Sequence, residues 1–385
     1  MRILPPAFVT VFLLVAMTGC GGRTALDWAP SDAVAPGVPA EAGSCLADGV
    51  ACGVSGPSCC TACVDGACGV PAAACHPGDP VATLYDFPTP LCNLEIFAIT
   101  PRYVYFADEA MRLVRVPKRG GSPEVVTSSP VDSVFFNELG LFANGYALGC
   151  TRAPCGTLQR LGPHGELTPL ASGVGWIDLL APYAGGLLVA HNDGSVPTPV
   201  WRVPLDGSKA RMLTTYDPDM VPLLDGDSFY DYPAMGAMLE RVDLAAGTRS
   251  DVPGTLGISS PPAVDAGALT FADSGGNIVR VPRLGGTPTV VASGFQIDIF
   301  ALIESEAEAI FDQVPTTPGP NTGKDGAIIA VDLGSGSVRK LAGSPDVSEV
   351  GHLEADSACV YWSEARWAEE GGPGCAALAI KRAAR

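Results

Sequence analysis

The chain has 385 residues, 47% of them hydrophobic and 17% charged, enough apolar content for a sizeable core and too little charge for a disordered chain. Its 41 acids against 23 bases give a net charge of -18, which excludes a nucleic-acid binder, because a phosphate backbone needs clustered Lys and Arg. With 46 Gly, 35 Pro and no long run of helical apolar period, the composition favours many short strands joined by turns.

The chain opens "MRILPPAFVTVFLLVAMTGCGG": Arg2, an apolar run from Phe8 to Met17, then small residues before Cys20. This reads as a secretory signal, too short to span a bilayer as a mature helix. Its "AMTGC" resembles the lipobox of bacterial lipoproteins. The resemblance implies a lipoprotein-type signal peptide over residues 1–20 and lipidation of Cys20. It also implies an exported protein, anchored by acyl chains in the bacterial cell envelope at the outer membrane or cell surface. The membrane is therefore one expected partner. Residues 21–43, rich in Ala, Pro and Gly, read as a tether that cannot bury enough apolar surface to order itself.

Of thirteen cysteines, all but Cys20 are expected in disulfides, as befits an exported chain. Cys45, Cys52, Cys59, Cys60, Cys63 and Cys68 crowd into a cysteine-rich module over residues 44–77. Spacing alone leaves their connectivity open. The spacing resembles small cystine-knot domains, and that resemblance implies Cys45–Cys60, Cys52–Cys63 and Cys59–Cys68. A zinc knuckle would need a second well-spaced Cys pair, which is missing. Cys75 and Cys92 are expected to tie the end of the module to the start of the region after it, Cys150 and Cys155 to staple a hairpin turn, and Cys359 and Cys375 to bracket two strands.

Residues 79–385 repeat. "YVYFADEAMRLVRVPKRGGSPEVVTSS" from Tyr103 matches "ALTFADSGGNIVRVPRLGGTPTVVASG" from Ala268 as strand, turn, strand, Gly-Gly turn, strand. Weaker copies begin at Leu158, Val200, Leu239 and Ile329, and a last one, "CVYWSEARW", at Cys359. Arg115, Arg160, Arg202, Arg241, Arg280, Ala330 and Lys381 mark equivalent points roughly 40 to 50 residues apart, one four-stranded unit per repeat. Seven units are expected, with an orphan strand, "PVATLYDF" (Pro80 to Phe87), supplying the fourth strand of the last and closing the ring. "IESEAEAIFDQV" (Ile303 to Val314) has helical propensity, but its place in the repeat predicts strand, turn, strand. A helix there would leave six units; six or eight are the alternatives to seven.

"YVYFADEAMRLVRVPKRGG", "LTFADSGGNIVRVPRLGG" and "CVYWSEARW" resemble YWTD-type and NHL-like β-propeller repeats of exported bacterial lipoproteins. The resemblance implies an all-β, seven-bladed propeller behind the disulfide-rich module. Propellers host many functions. The favoured expectation is a non-catalytic binding or scaffold lipoprotein with a protein or carbohydrate ligand; the alternative is a metal-dependent hydrolase or lyase of lactonase-like type.

Asp273-Ser274-Gly275-Gly276 spells the nucleophile surround of trypsin-like proteases, yet it falls on the same bend as "DEAM" in the first repeat, so Ser274 is expected in a hairpin turn. His191, before Asn192-Asp193-Gly194, is expected to be a solvated turn residue; His352 is the histidine placed nearest a channel mouth. Glu95, Asp132, Asp178, Asp298 and Glu349 stand near the starts of first strands. They are the candidate ligands of a central Ca²⁺, no other cofactor being expected. Among the aromatics Trp176, Trp201, Trp362, Trp367, Tyr230 and Tyr232, Trp362 aligns with Phe106 and Phe271 and reads as packing. Tyr230 and Tyr232, where the repeat pattern breaks, are the candidate partner-binding pair.

Overall fold

The computed structural model describes residues 63–64, 67–68, 74–88, 97–146, 156–162, 165–192, 196–206, 208–217, 222–231, 237–265, 267–305, 307–313, 326–343, 349–367 and 375–385. Cys20, the tether, Cys45, Cys52, Cys59, Cys60, Cys92, Cys150, Cys155, Glu95 and Tyr232 lie outside them, as do the side chains of Cys63, Cys68 and Cys375.

Every described element is a strand. β1 (Cys63–Val64) and β2 (Ala67–Cys68) pair with each other inside the cysteine-rich module. β3 (Ala82–Asp86) is followed by β4 (Ala98–Ile99), β5 (Tyr103–Ala107), β6 (Arg112–Pro117), β7 (Glu124–Asn137), β8 (Gly140–Tyr146), β9 (Gly156–Leu161) and β10 (Leu167–Val174). The later strands form four-stranded antiparallel sheets. One is β11 (Trp176–Tyr183), β12 (Gly186–Asn192), β13 (Thr198–Pro204) and β14 (Arg211–Tyr216). The next is β15 (Leu223–Asp225), β16 (Ser228–Asp231), β17 (Glu240–Asp243) and β18 (Thr248–Asp251). Then come β19 (Ala263–Val264), β20 (Ala268–Ala272), β21 (Asn277–Pro282) and β22 (Thr289–Ser293), and β23 (Ile297–Ser305), β24 (Glu308–Gln313), β25 (Ala327–Asp332) and β26 (Val338–Gly343). The last sheet is β27 (Glu349–Ala355), β28 (Cys359–Trp367), β29 (Cys375–Ala384) and β3. The fold is a β-propeller.

The expectation of seven separate four-stranded blades is corrected at the first two repeats. The fourteen residues of β7 form one continuous strand that pairs with β6 through its first part and with β8 through its second, so β4 to β10 make a single seven-stranded sheet beside five four-stranded blades. A turn that elsewhere separates an outer strand from the next inner one is here extended backbone. The Ala/Glu-rich segment is β23, a turn and β24, as its place in the repeat predicts; β-sheet pairing overrides its helix propensity.

Second and third strands carry most of the core, because they have neighbours on both edges and apolar sheets on both faces. Phe106, Phe271 and Trp362 occupy matching places on β5, β20 and β28 and are 0%, 1% and 0% exposed, so Trp362 is a packing residue. Apolar clusters fill each junction between consecutive repeats. The one formed by Ala98, Tyr105, Leu113, Val131, Val134, Leu141 and Ala143 lies between the two halves of the seven-stranded sheet.

The ring closes where β3 pairs with β29, the two ends of the repeat region sharing one ladder as the orphan strand predicts. Cys75 is bonded to Cys359, at a sequence separation of 284, and not to Cys92. The pairing follows from closure: β3 carries the residues just before it onto the last sheet, beside the start of β28. Arg382 donates through Nη1 to the carbonyls of Ala74 and Lys118, and Lys118 Nζ lies 2.5 Å from Asp356. Replacing both Cys75 and Cys359 by Ala is expected to lower unfolding stability by about 2–5 kcal/mol in urea titrations. A midpoint equal to that of the wild type would refute the cross-link.

Candidate functional site

In every sheet the first strand runs away from one face of the ring and the second returns to it. The starts of β11, β15, β19, β23 and β27 and the turns after β12, β16, β20, β24 and β28 therefore share one face, the loop face. Turns between third and fourth strands lie on the opposite face.

Ser274 sits in the loop-face turn between β20 and β21. Asp273 Oδ1 accepts from the amides of Gly275 (2.8 Å) and Asn277 (2.9 Å), and the Gly276 amide donates to the Asp273 carbonyl at 3.0 Å. Asp108 does the same for Ala110 (3.0 Å) and Arg112 (2.8 Å). The left-handed position is Gly276 (φ 73°) in one copy and Met111 (φ 58°) in the other. "DSGG" and "DEAM" are thus one bend, and Ser274 is an exposed turn residue.

The histidines are elsewhere. His191 is on β12 and 2% exposed, which corrects its reading as a solvated turn residue; its Nδ1 accepts from the Gly175 amide at 3.1 Å. Asn144 Nδ2 donates to the Gly175 carbonyl at 3.0 Å, so the two successive peptide groups that flank Gly175, between β10 and β11, are each held by a buried side chain. Asp231, at the end of β16, takes the corresponding place in the next sheet: its Oδ1 accepts from the Asp217 amide at 3.3 Å. Burial pushes the Asp231 carboxyl up, partly offset by that amide and by Arg249, whose Nη1 is 3.4 Å from its Oδ2. His352, on β27, packs edge-on against Phe97 with centroids 4.8 Å apart, and its Nε2 is 3.4 Å from Glu354 Oε1.

Of the five candidate calcium ligands, Asp132 and Asp178 are half-buried in β7 and β11. Asp298 and Glu349 belong to β23 and β27, their side chains outside the described residues together with Glu95. Among the described residues no three His, Cys, Asp or Glu side chains converge to hold a metal ion. Asp132 and Asp178 are instead both bulge residues: the register steps from Val131 to Ser133 and from Ile177 to Leu179.

The bulge at Asp178 sorts the start of β11. Ile177 and Leu180 pack into the core shared with the preceding sheet half, whereas Leu179 packs with Tyr216 toward the following sheet. Asp178 is turned the same way as Leu179 and accepts a hydrogen bond from the Tyr216 hydroxyl. Trp176, the first residue of β11, is 50% exposed. Tyr230, by contrast, is 2% exposed, its hydroxyl donating to the Arg283 carbonyl at 3.2 Å, which corrects its assignment to a partner surface. It is buried because β16, a second strand, packs on both faces: Phe229 lies in the apolar cluster on one side and Tyr230 in the cluster on the other.

Asp178 also differs in its charge environment. Asp108 pairs with Arg112 (2.6 Å), Asp356 with Lys118 (2.5 Å), Glu364 with Lys381 (2.9 Å) and Asp231 with Arg249 (3.4 Å). Among the described residues no cation pairs with Asp178. Burial pushes its carboxyl above the ordinary value, and the Tyr216 hydroxyl offsets this only in part. Sequence inspection singled out Asp178 but missed Tyr216, 38 residues away, since nothing local marks their contact.

No family model matches the sequence, and no curated protein matches it. Among solved structures, the chain is similar to BamB from Moraxella catarrhalis at 13% identity, over 74% of this chain and 83% of that one, with a TM-score of 0.43. It is similar to a Mycobacterium tuberculosis puromycin-hydrolyzing peptidase at 14% identity and a TM-score of 0.47, over 68% of this chain and 47% of that one, about half its length. TolB from Acinetobacter baumannii is similar at 15% identity and a TM-score of 0.40, over 61% of each chain. At these values the likenesses carry nothing about activity or partners.

A carboxyl raised by burial binds its proton more tightly folded than unfolded, so the stability it contributes is present below the unfolded value and lost as pH rises through the folded one. Asp178→Asn keeps an acceptor for Tyr216 without that loss. Its urea midpoint at pH 7 is expected to equal or exceed the wild type's, the difference vanishing toward about pH 4. A variant clearly less stable at pH 7 would contradict this environment.

Proposed function

We propose that this protein is an exported, lipid-anchored β-propeller of YWTD/NHL-like type that binds or scaffolds a partner in the bacterial cell envelope through its loop face. The observation that carries this reading is the commitment of the polar groups there that resemble catalytic ones. His191, Asn144 and Asp231 each hold a backbone group of an inter-sheet connection, leaving exposed side chains such as Trp176 and Ser274 to meet a ligand.

Two further features support it. The lipobox-like "AMTGC" and the adjoining tether suit attachment through Cys20. Cys75 is fastened at Cys359, the start of β28, on the face opposite the loop face, so the N-terminal segment leaves the loop face uncovered where it joins the ring. We take the ring as sevenfold, the seven-stranded sheet counting as two blades that share β7, because an apolar cluster occupies the junction between its halves as it does between the other sheets.

Attachment is tested by fractionation: Cys20→Ala is expected to move the protein from the membrane to the soluble fraction, and unchanged partition would refute lipidation. Binding is tested in the full-length protein with a photo-crosslinking residue at Ser274 on the loop face or Ser335 on the opposite one, both exposed. A discrete adduct from Ser274 and none from Ser335 is expected. Absence of any adduct, together with turnover of lactones or esters, would replace this reading with a hydrolytic one.

A further inference from the structure

We propose that Trp176 and Asp178, at the start of β11 on the loop face, receive a protonated arginine or lysine side chain from a basic segment of a partner protein. The inference rests on the binding function proposed above and names the chemistry of the partner.

Three observations meet at this point of the ring. Trp176 is 50% exposed although it opens the innermost strand of its sheet, where its ring gains little from packing and offers a face to a cation. Two residues on, the bulge turns the Asp178 carboxyl to the Tyr216 side of the strand, where the Tyr216 hydroxyl orients it. No cation pairs with that carboxyl among the described residues, whereas Asp108, Asp231, Asp356 and Glu364 each have one.

A half-buried carboxylate oriented by a hydroxyl but lacking a countercharge raises the energy of the protein alone. An incoming guanidinium or ammonium removes that cost by supplying a charge-assisted hydrogen bond. Tyr216, itself 1% exposed, fixes the carboxyl so that little ordering remains to be done on binding. The net charge of -18 adds a long-range field that draws a basic partner in and that salt weakens.

The test uses the full-length protein and calorimetric titration with an Arg-Gly repeat peptide, with its citrulline counterpart as the neutral control. The arginine peptide is expected to bind. Trp176→Ala is expected to weaken it about fivefold or more, and Asp178→Asn about tenfold. Glu124→Gln, which removes an exposed charge on the opposite face, is expected to leave the affinity unchanged. Equal binding by the citrulline peptide, no binding by the wild type, or unaltered affinity in both loop-face variants would overturn the inference. Trp176 is exposed and Asp178→Asn keeps its hydrogen bond, so both variants are expected to fold, which thermal melts verify. Failure here is separable from failure of the binding function: a partner docking elsewhere on the loop face would still crosslink at Ser274 in Trp176→Ala.

Discussion

The ladder between β3 and β29 is the constraint on which the rest of the molecule depends. It sets Asp86 against Ala379 and Ala82 against Arg382, so residues from opposite ends of the repeat region share backbone hydrogen bonds. Without it β29 would be an exposed edge and the ring would end in an open row of amides and carbonyls, an invitation to pair with another chain. The same seam carries the Cys75–Cys359 bond, the grip of Arg382 on two carbonyls, and the Lys118–Asp356 pair. Burial opposes ionisation of Asp356, but the hydrogen bond and charge of Lys118 outweigh it and hold the carboxyl below its ordinary value. Closure is therefore secured by several kinds of interaction, each bringing sequence-distant groups together.

Ring architecture then dictates where polar groups go. Each passage from an outer strand to the next inner strand carries peptide groups across apolar surface, and a buried amide without a partner costs about 1–3 kcal/mol. Asn144, His191 and Asp231 meet this need at two successive connections, and Thr255 does so at the next, its hydroxyl donating to the Val252 carbonyl at 2.7 Å. A buried histidine and a buried aspartate in a propeller thus have a structural explanation. The opposite face obeys a steric version of the rule. Gly165 and Gly336, both left-handed, let their turns approach the preceding outer strand, where a Cβ would come within 2.5 Å of the Val126 and Val291 carbonyls.

Against this background Asp178 stands out by its surroundings. With its bulge and its hydroxyl partner, and with no cation paired to it among the described residues, it is a half-buried carboxylate two residues along the strand from an exposed tryptophan on the loop face. A site that lowers the stability of the protein alone and is relieved by a ligand is the usual signature of function set against folding.

Most of the architecture was legible in the sequence because its information is local and repeated. The alternation of apolar residues, the Asp-led turns at Asp108 and Asp273 and the orphan strand at Pro80 to Phe87 fixed the strands, their order and the closing partner. The same regularity kept Ala/Glu-rich β23 and β24 from being read as a helix. Tertiary structure decided what depends on distance through space. Cys75 found Cys359 because closure brings them together, the first two repeats merged because β7 stays extended, and Tyr230 is buried because neighbouring sheets pack on both faces of β16. The orientation of Asp178 was likewise beyond local reading, since one inserted residue redirects its side chain and its hydroxyl partner comes from the far end of the same sheet. Sequence sets each strand and turn through short-range sterics and hydrogen bonding, whereas burial, charge pairing and cross-linking are properties of neighbours that only the closed ring supplies.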